Sequence, residues 1–248
     1  MRHIMSDSTR TRTRTRAVTT AAEPAGPAGA RERLLAAAEA LIYAGGIHAT
    51  GVDAIIKLSG TARKSFYTYF DSKDALVAAA LERRDERWMR WFIDGTRQRG
   101  NTPSEHLLAM FDVLHEWFSS KEFHGCAFLN AAGEIASPDD PIRVVARFHK
   151  ERLLAFVREV CDAFFAGSEA EAEAQSDSTD KPAASLSRRW LILIDGAIGV
   201  ALVSGDANAA YDARDAALPL LDSVSPQRLT SPPARRSSTS ARRRQEKS

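Results

Sequence analysis

The apolar positions of this chain recur at helical spacing, and the Val/Ile/Thr alternation that marks a strand does not recur. Leu34, Leu35, Ala38, Leu41 and Ile42 form one helical stripe, which predicts a first helix from about Arg31 to Ala44. Gly45-Gly46 ends it, because glycine tolerates the left-handed stop conformation. Thr50 then stands where it would cap a short second helix, Val52 to Leu58, with Val52, Ile55 and Ile56 facing inward. Ser59-Gly60 makes a turn, and a third short helix spans roughly Ala62 to Tyr69. Asp71-Ser72 caps a long fourth helix that reaches about Gly95. Further amphipathic helices are expected at about 103–119, 122–136, 141–166, 184–204 and 207–223. The expected fold class is all-α, a three-helix N-terminal unit followed by a helical bundle.

Two helices joined by a tight glycine-containing turn, the second of them short, are what a helix-turn-helix reader of DNA requires. The third helix offers donors on its outward positions, Arg63, Lys64, Ser65 and Thr68, while Phe66 and Phe70 can anchor its opposite face to the first helix. A plain three-helix core would place the same apolar residues, so the pattern alone leaves both readings open.

From Arg31 to Leu76 the residues carry more than a pattern. The stretches Arg31-Glu-Arg-Leu-Leu-Ala-Ala-Ala-Glu-Ala-Leu41, Gly46-Ile-His-Ala-Thr-Gly-Val-Asp-Ala-Ile-Ile56 and Ser65-Phe-Tyr-Thr-Tyr-Phe-Asp-Ser-Lys-Asp-Ala-Leu76 resemble the N-terminal domain of the tetracycline-repressor (TetR) family of transcriptional regulators. The resemblance implies a homodimeric regulator, by family habit a repressor, that releases a palindromic double-stranded operator on binding a small molecule. It implies DNA contacts from Thr50, Arg63, Lys64, Ser65, Tyr67, Thr68, Tyr69 and Lys73, with Lys57 nearer the solvated surface and Tyr69 equally at home in the core. Lys73 would add its charge to a helix N-terminus, a ready anion site. Ala62 and Lys64 depart from the family, which often has a capping Ser and a Gly there. The lost cap costs about 1 kcal/mol unless Thr61 supplies it, and a long Lys64 changes what the helix reads.

Beyond Leu76 the argument returns to side-chain chemistry. Trp88, Trp91, Phe92, Phe111, Leu114, Trp117, Phe118 and Phe128 form an aromatic-rich group. Any one of them fits an ordinary bundle core. Together, in a family whose helices here surround a cavity, they imply a pocket for an apolar or aromatic effector. Asn130 and His149, with Glu134 and Arg152 near them, are the polar candidates to orient it. A ligand against Trp88 or Trp91 would tilt the fourth helix. The helix from 184 to 204 is apolar almost all round and must be buried on several sides. With 207–223 it is implied to form the dimer interface, Gly196 and Gly199 allowing close approach. Pro219 should kink or end the last helix.

Composition bounds the function classes. With 248 residues and 44% apolar content the chain can bury a sizeable core, and its organisation reads as a disordered basic tail at 1–28, a helix-turn-helix domain at 29–75, a sensing and dimerisation domain at 76–224, and a second disordered basic tail at 225–248. Net charge is only +2, yet bases collect in the tails and the stretch 167–180 is acidic. A non-specific nucleic-acid binder working through the tails is therefore an alternative reading. An all-helical enzyme is a weaker one, since no phosphate loop, HExxH or GxSxG occurs. Cys126 and Cys161 have no metal-ligand spacing, so neither cofactor nor metal is expected. Cys126 reads as a redox sensor or, better supported, an inert buried thiol, because no cationic neighbour is evident in sequence. No apolar run approaches a membrane span. A cytoplasmic protein is expected.

Overall fold

A computed structural model describes residues 27–166 and 182–224. Among them are nine α-helices and no strand: α1 Pro27–Gly45, α2 Val52–Ser59, α3 Arg63–Tyr69, α4 Lys73–Arg97, α5 Pro103–Phe118, α6 Ala127–Glu134, α7 Pro141–Phe165, α8 Pro182–Ser204 and α9 Ala209–Val224. The expected C-terminal tail, nearly all of the N-terminal one and the acidic stretch lie outside the described residues. No described helix is long and apolar enough to cross a membrane.

α1 begins at Pro27, earlier than its apolar stripe indicated and inside the stretch expected to be tail. Leu34, Leu35 and Ala38 are fully buried against α2, α3 and α4. The stop falls at Gly46, whose φ of 90° is left-handed and whose N–H returns to the Ile42 carbonyl. Thr50 does not cap α2. That position belongs to Gly51, which has no side chain to offer, and the Thr50 hydroxyl donates back to the Gly46 carbonyl at 2.7 Å. α3 starts at Ala62 without a side-chain cap, since Thr61 pairs with the Ser59 hydroxyl instead. Ser72 caps α4 as expected, accepting from the Ala75 N–H at 3.0 Å.

The body packs α4, α5 and α7 together, with α8 and α9 laid against α7 and α5. Trp190 is fully buried there, its ring 5.5 Å from Phe111 and its indole N–H on the Leu107 carbonyl. The middle of α4 is tied to α7 by ions. Asp85, 3% exposed, receives His149 at 2.6 Å and a guanidinium of Arg152. A carboxylate so placed is tolerable only because the imidazole and the guanidinium both meet it.

Two boundaries depart from the sequence reading. The helix expected over 122–136 is only Ala127–Glu134, because Gly125 turns left-handed at φ 79° and Cys126 is extended. Pro219 does not end its helix within the described residues, for α9 continues to Val224. The carbonyl it deprives of a donor, that of Asp215, belongs to an exposed residue, and water can satisfy it.

Gly46 is constrained twice, because a Cβ there would stand 3.0 Å from the Glu134 carboxylate. Gly46→Ala is expected to destabilise the fold by about 2 kcal/mol, the cost of a left-handed non-glycine residue plus crowding, read as a lower urea midpoint at unchanged slope.

Candidate functional site

The three N-terminal helices present one outward row of polar side chains. Arg63, Lys64, Tyr67 and Thr68 share the exposed face of α3, and Phe66 beneath them is 1% exposed. This follows from helix geometry: positions 63, 64, 67 and 68 lie on one side, 66 and 70 on the other. Tyr67 lies edge-on to the Phe66 ring at 5.0 Å, so its hydroxyl is carried on a fixed base. Arg63 pairs with Asp53 of α2, both exposed, a link that water screens heavily. Ser65 and Tyr69 are half-buried on the flank, and Thr68 donates to the Lys64 carbonyl at 2.8 Å.

Two of the residues picked from sequence have other tasks in the structure. Thr50 is 5% exposed and its hydroxyl is committed within its own loop. Lys73 turns its ammonium onto the carbonyls of Ile47 and Thr50, at 3.0 and 3.4 Å. It braces the loop that orients α2.

A row of polar latches joins this three-helix head to the body. Glu39 of α1, 8% exposed, accepts from Arg84 at 3.1 Å and bidentately from Arg87, both on α4. Tyr43 donates to the Gly125 carbonyl at 2.9 Å and accepts from the His124 N–H at 3.0 Å. Burial pushes its hydroxyl pKa up and keeps it protonated for the first of these bonds. Glu134 of α6 receives the N–H groups of Ile47 and His48, each at 2.8 Å. Burial would raise its pKa, but these two bonds and the His48 ring outweigh it and hold the carboxyl below its ordinary range.

Beside the latches the structure gathers only part of the expected aromatic group around a cleft. Trp88, Trp91 and Trp117 line a recess of about 280 Å³ together with Arg84 and Arg87. Their centroids are 5.6 to 6.4 Å apart. Phe92, Phe111, Leu114, Phe118 and Phe128 line none of this recess and are buried as core. His149 is also core, stacked on Phe128 at 3.7 Å and bonded to Asp85, and Asn130 donates to the His124 carbonyl. Arg84, Arg87, Tyr43 and Glu39 were missed in the sequence. The signal was present, because 84, 87, 88 and 91 make one helical stripe of α4. A wider groove of about 610 Å³ runs between α1, α4 and α7, walled by Glu32, Glu82, Asp85 and Glu86 beside Phe148.

The two cysteines differ. Burial pushes the Cys161 thiol up to about 12. At Cys126 burial also raises the pKa, but a hydrogen bond from His149 and the charges of Lys150 and His149 outweigh it and hold the thiol below its usual value. The cationic surroundings not evident in sequence come from α7.

Comparison with known proteins accords with this geometry. The model of the "Bacterial regulatory proteins, tetR family" matches residues 34–80, which run from α1 into α4. A TetR-type transcriptional regulator from Streptomyces avermitilis is 30% identical, superposes with a TM-score of 0.63, and is covered over 97% of its length by 78% of this chain. The chain belongs to the TetR family. A TetR-family regulator from Streptomyces coelicolor, SCO4454, is similar at 27% identity and a TM-score of 0.66, over 79% of this chain and 96% of that one. An HTH-type transcriptional regulator of Lactococcus lactis is 29% identical over 114 residues, 46% of this chain and 58% of the relative. The match thus spans little more than half of that curated relative. For a TetR-family chain the nine-helix, strand-free architecture of the described residues is the expected one.

Because the Glu134 carboxyl is held below its usual range, its contribution is full above the unfolded carboxylate pKa and is lost as pH falls through the lower folded value. Glu134→Gln should cost about 1 kcal/mol at neutral pH. The gap between wild type and variant in urea midpoint should close on acidification, when the native side chain is also neutral.

Proposed function

We propose that this chain is a ligand-responsive transcriptional repressor that binds a palindromic double-stranded operator as a homodimer. The observation that carries the reading is the row Arg63, Lys64, Tyr67 and Thr68 on the exposed face of a seven-residue helix whose other side is anchored by Phe66. Arginine and lysine suit the acceptor pair of guanine, and hydroxyls and ammonium groups suit phosphate oxygens. Ser65 and Tyr69 flank the row. Thr50 and Lys73 act behind it, by fixing the loop that sets the angle of α2. A small molecule, apolar or aromatic in part, is received by the tryptophan cleft on α4 and α5 and loosens the hold on the operator.

The dimer reading has its own support. Ile192, Gly196, Gly199 and Val203 fall on one stripe of α8, and Ile192 and Val203 are 70% and 88% exposed. Nothing lies within 4 Å of where a Cβ on either glycine would stand. Val200 and Leu202 of α8 and Leu218 of α9 are exposed nearby. An apolar, glycine-notched face of this kind is covered by a second copy in a symmetric, self-complementary contact. That places two reading helices on one duplex and makes the operator a palindrome.

Selection of bound sequences from random duplex DNA should yield a palindrome with half-sites about one helical turn apart. Replacing Arg63 and Lys64 together by Ala should then lower affinity for that duplex by about a hundredfold, with melting unchanged. Val203→Asp should give a folded monomer by light scattering and weaken operator binding at least about tenfold. Enrichment of no sequence, or an alanine pair that binds at full strength, would overturn the reading.

A further inference from the structure

We propose that the effector of this chain is a planar aromatic carboxylate, and that it acts by taking the guanidinium groups of Arg84 and Arg87 away from Glu39. The inference rests on the regulatory reading above and names the chemistry of its cleft. Three indoles set at 57 to 68° to one another give faces and edges for a flat ring. Their recess adjoins a second of about 470 Å³ that carries Glu39, Tyr43 and His124, and the two share Arg84, Arg87 and Trp117. Together they are of the size that small ligands occupy.

Charge and hydrogen bonding decide what kind of ring. The Trp88 indole N–H and one terminal nitrogen of Arg83 are buried and have no partner among the described residues. Both atoms are donors, and both residues line these recesses. Buried orphan donors call for an acceptor. Two guanidinium groups converge on the carboxylate of Glu39, and with Arg83 three guanidinium groups face Glu39 and Glu122 in the lining, so positive charge is in surplus at the mouth. Arg84 lies over the Tyr43 ring at 3.6 Å with its plane fixed, and Arg87 is more than half exposed and free to turn. Arginine forks match a carboxylate bidentately. A tryptophan cluster can also hold an organic cation, but the two guanidinium groups on its rim repel one.

The consequence follows from where Glu39 sits. It belongs to the head, whereas Arg84 and Arg87 belong to the body-spanning α4. A ligand carboxylate seated on the arginines leaves Glu39 buried without its partners, which is unfavourable until α1 moves away. The ligand therefore favours the unlatched state and, by linkage, operator binding opposes the ligand by the same factor.

The test is calorimetric titration of the full chain with naphthoate, its neutral amide naphthamide, and benzyltrimethylammonium. Naphthoate should bind at least about tenfold tighter than the amide, the worth of a charge-assisted bond, and the ammonium compound should not bind. Arg87→Gln, at an exposed position, should erase the preference for naphthoate. Glu39→Gln should increase naphthoate affinity several-fold, because the internal competitor has lost its charge. A merely structural Glu39 would not do so. Naphthoate should also release the selected duplex. Equal binding of acid and amide, no binding at millimolar concentration, preference for the ammonium compound, or an unchanged duplex complex overturns the proposal. So does an unchanged affinity in Glu39→Gln. A chain that selects a duplex but shows no preference for naphthoate overturns this inference alone. A chain that prefers naphthoate but selects no duplex overturns the regulatory reading, and the effector role with it.

Discussion

The orientation of the three-helix head depends on the ionic contact of Glu39 with Arg84 and Arg87, laid over an apolar core that head and body share. A greasy contact would hold the two parts together but tolerate sliding. A buried carboxylate held by two guanidinium groups does not, since any shift leaves it at 8% exposure without its donors. The neighbouring latches have the same character. Glu134 accepts two backbone N–H groups from the loop after α1, and Tyr43 both donates to and accepts from the loop before α6. The head is thus held in one orientation by bonds that are strong when complete and costly when half made. Such a joint is rigid while every member is satisfied.

This explains why so much local sequence serves the loop between α1 and α2. Gly46 adopts a conformation open to glycine and leaves room for the Glu134 carboxylate. Thr50 closes the loop on the Gly46 carbonyl, and Lys73 gathers the carbonyls of Ile47 and Thr50. The loop fixes where α2 begins, and α2 with the Gly60 turn fixes α3. The exposed row of α3 is positioned by hydrogen bonds made within the chain.

How much of this could be read in advance depends on the range of each interaction. The stripe Leu34, Leu35, Ala38 and the anchors Phe66 and Phe70 were legible because helix burial follows local periodicity. So were the Ser72 cap and the outward row of α3. Thr50 and Lys73 lie near the reading head as expected, but their bonds to the Gly46, Ile47 and Thr50 carbonyls were not legible, because a sequence shows a donor and not the carbonyl it meets. Glu39, Arg84 and Arg87 were passed over entirely. Their partners lie 45 and 48 residues away, and an Arg or Glu in a helix is ordinarily just a solvated face. How the aromatic group divides was hidden for a related reason, since composition cannot separate rings that line a recess from rings that fill a core. In α8 the all-round apolar character pointed to burial on several sides, and the single chain buries one side only.

The position of the tryptophan cleft along α4 completes the mechanical picture. Asp85 is the midpoint of this 25-residue helix and is pinned to α7 by His149 and Arg152. Arg84, Arg87 and Trp88 flank that pin within one turn. A molecule seated there would work next to the fulcrum, where a small displacement of the helix would be amplified at its far end. From Asp85 to Lys73 is about 18 Å of helix, so a tilt of about 10° about the pin carries the start of α4 by about 3 Å. The α1–α2 loop is bonded to that end through Lys73 and moves with it. Two heads on a symmetric dimer would each shift by this amount, against half-sites fixed about 34 Å apart on the duplex. Hydrogen bonds to base edges tolerate only a few tenths of an ångström of that movement, so in the proposed mechanism unlatching at Glu39 would cancel recognition without unfolding or separating anything.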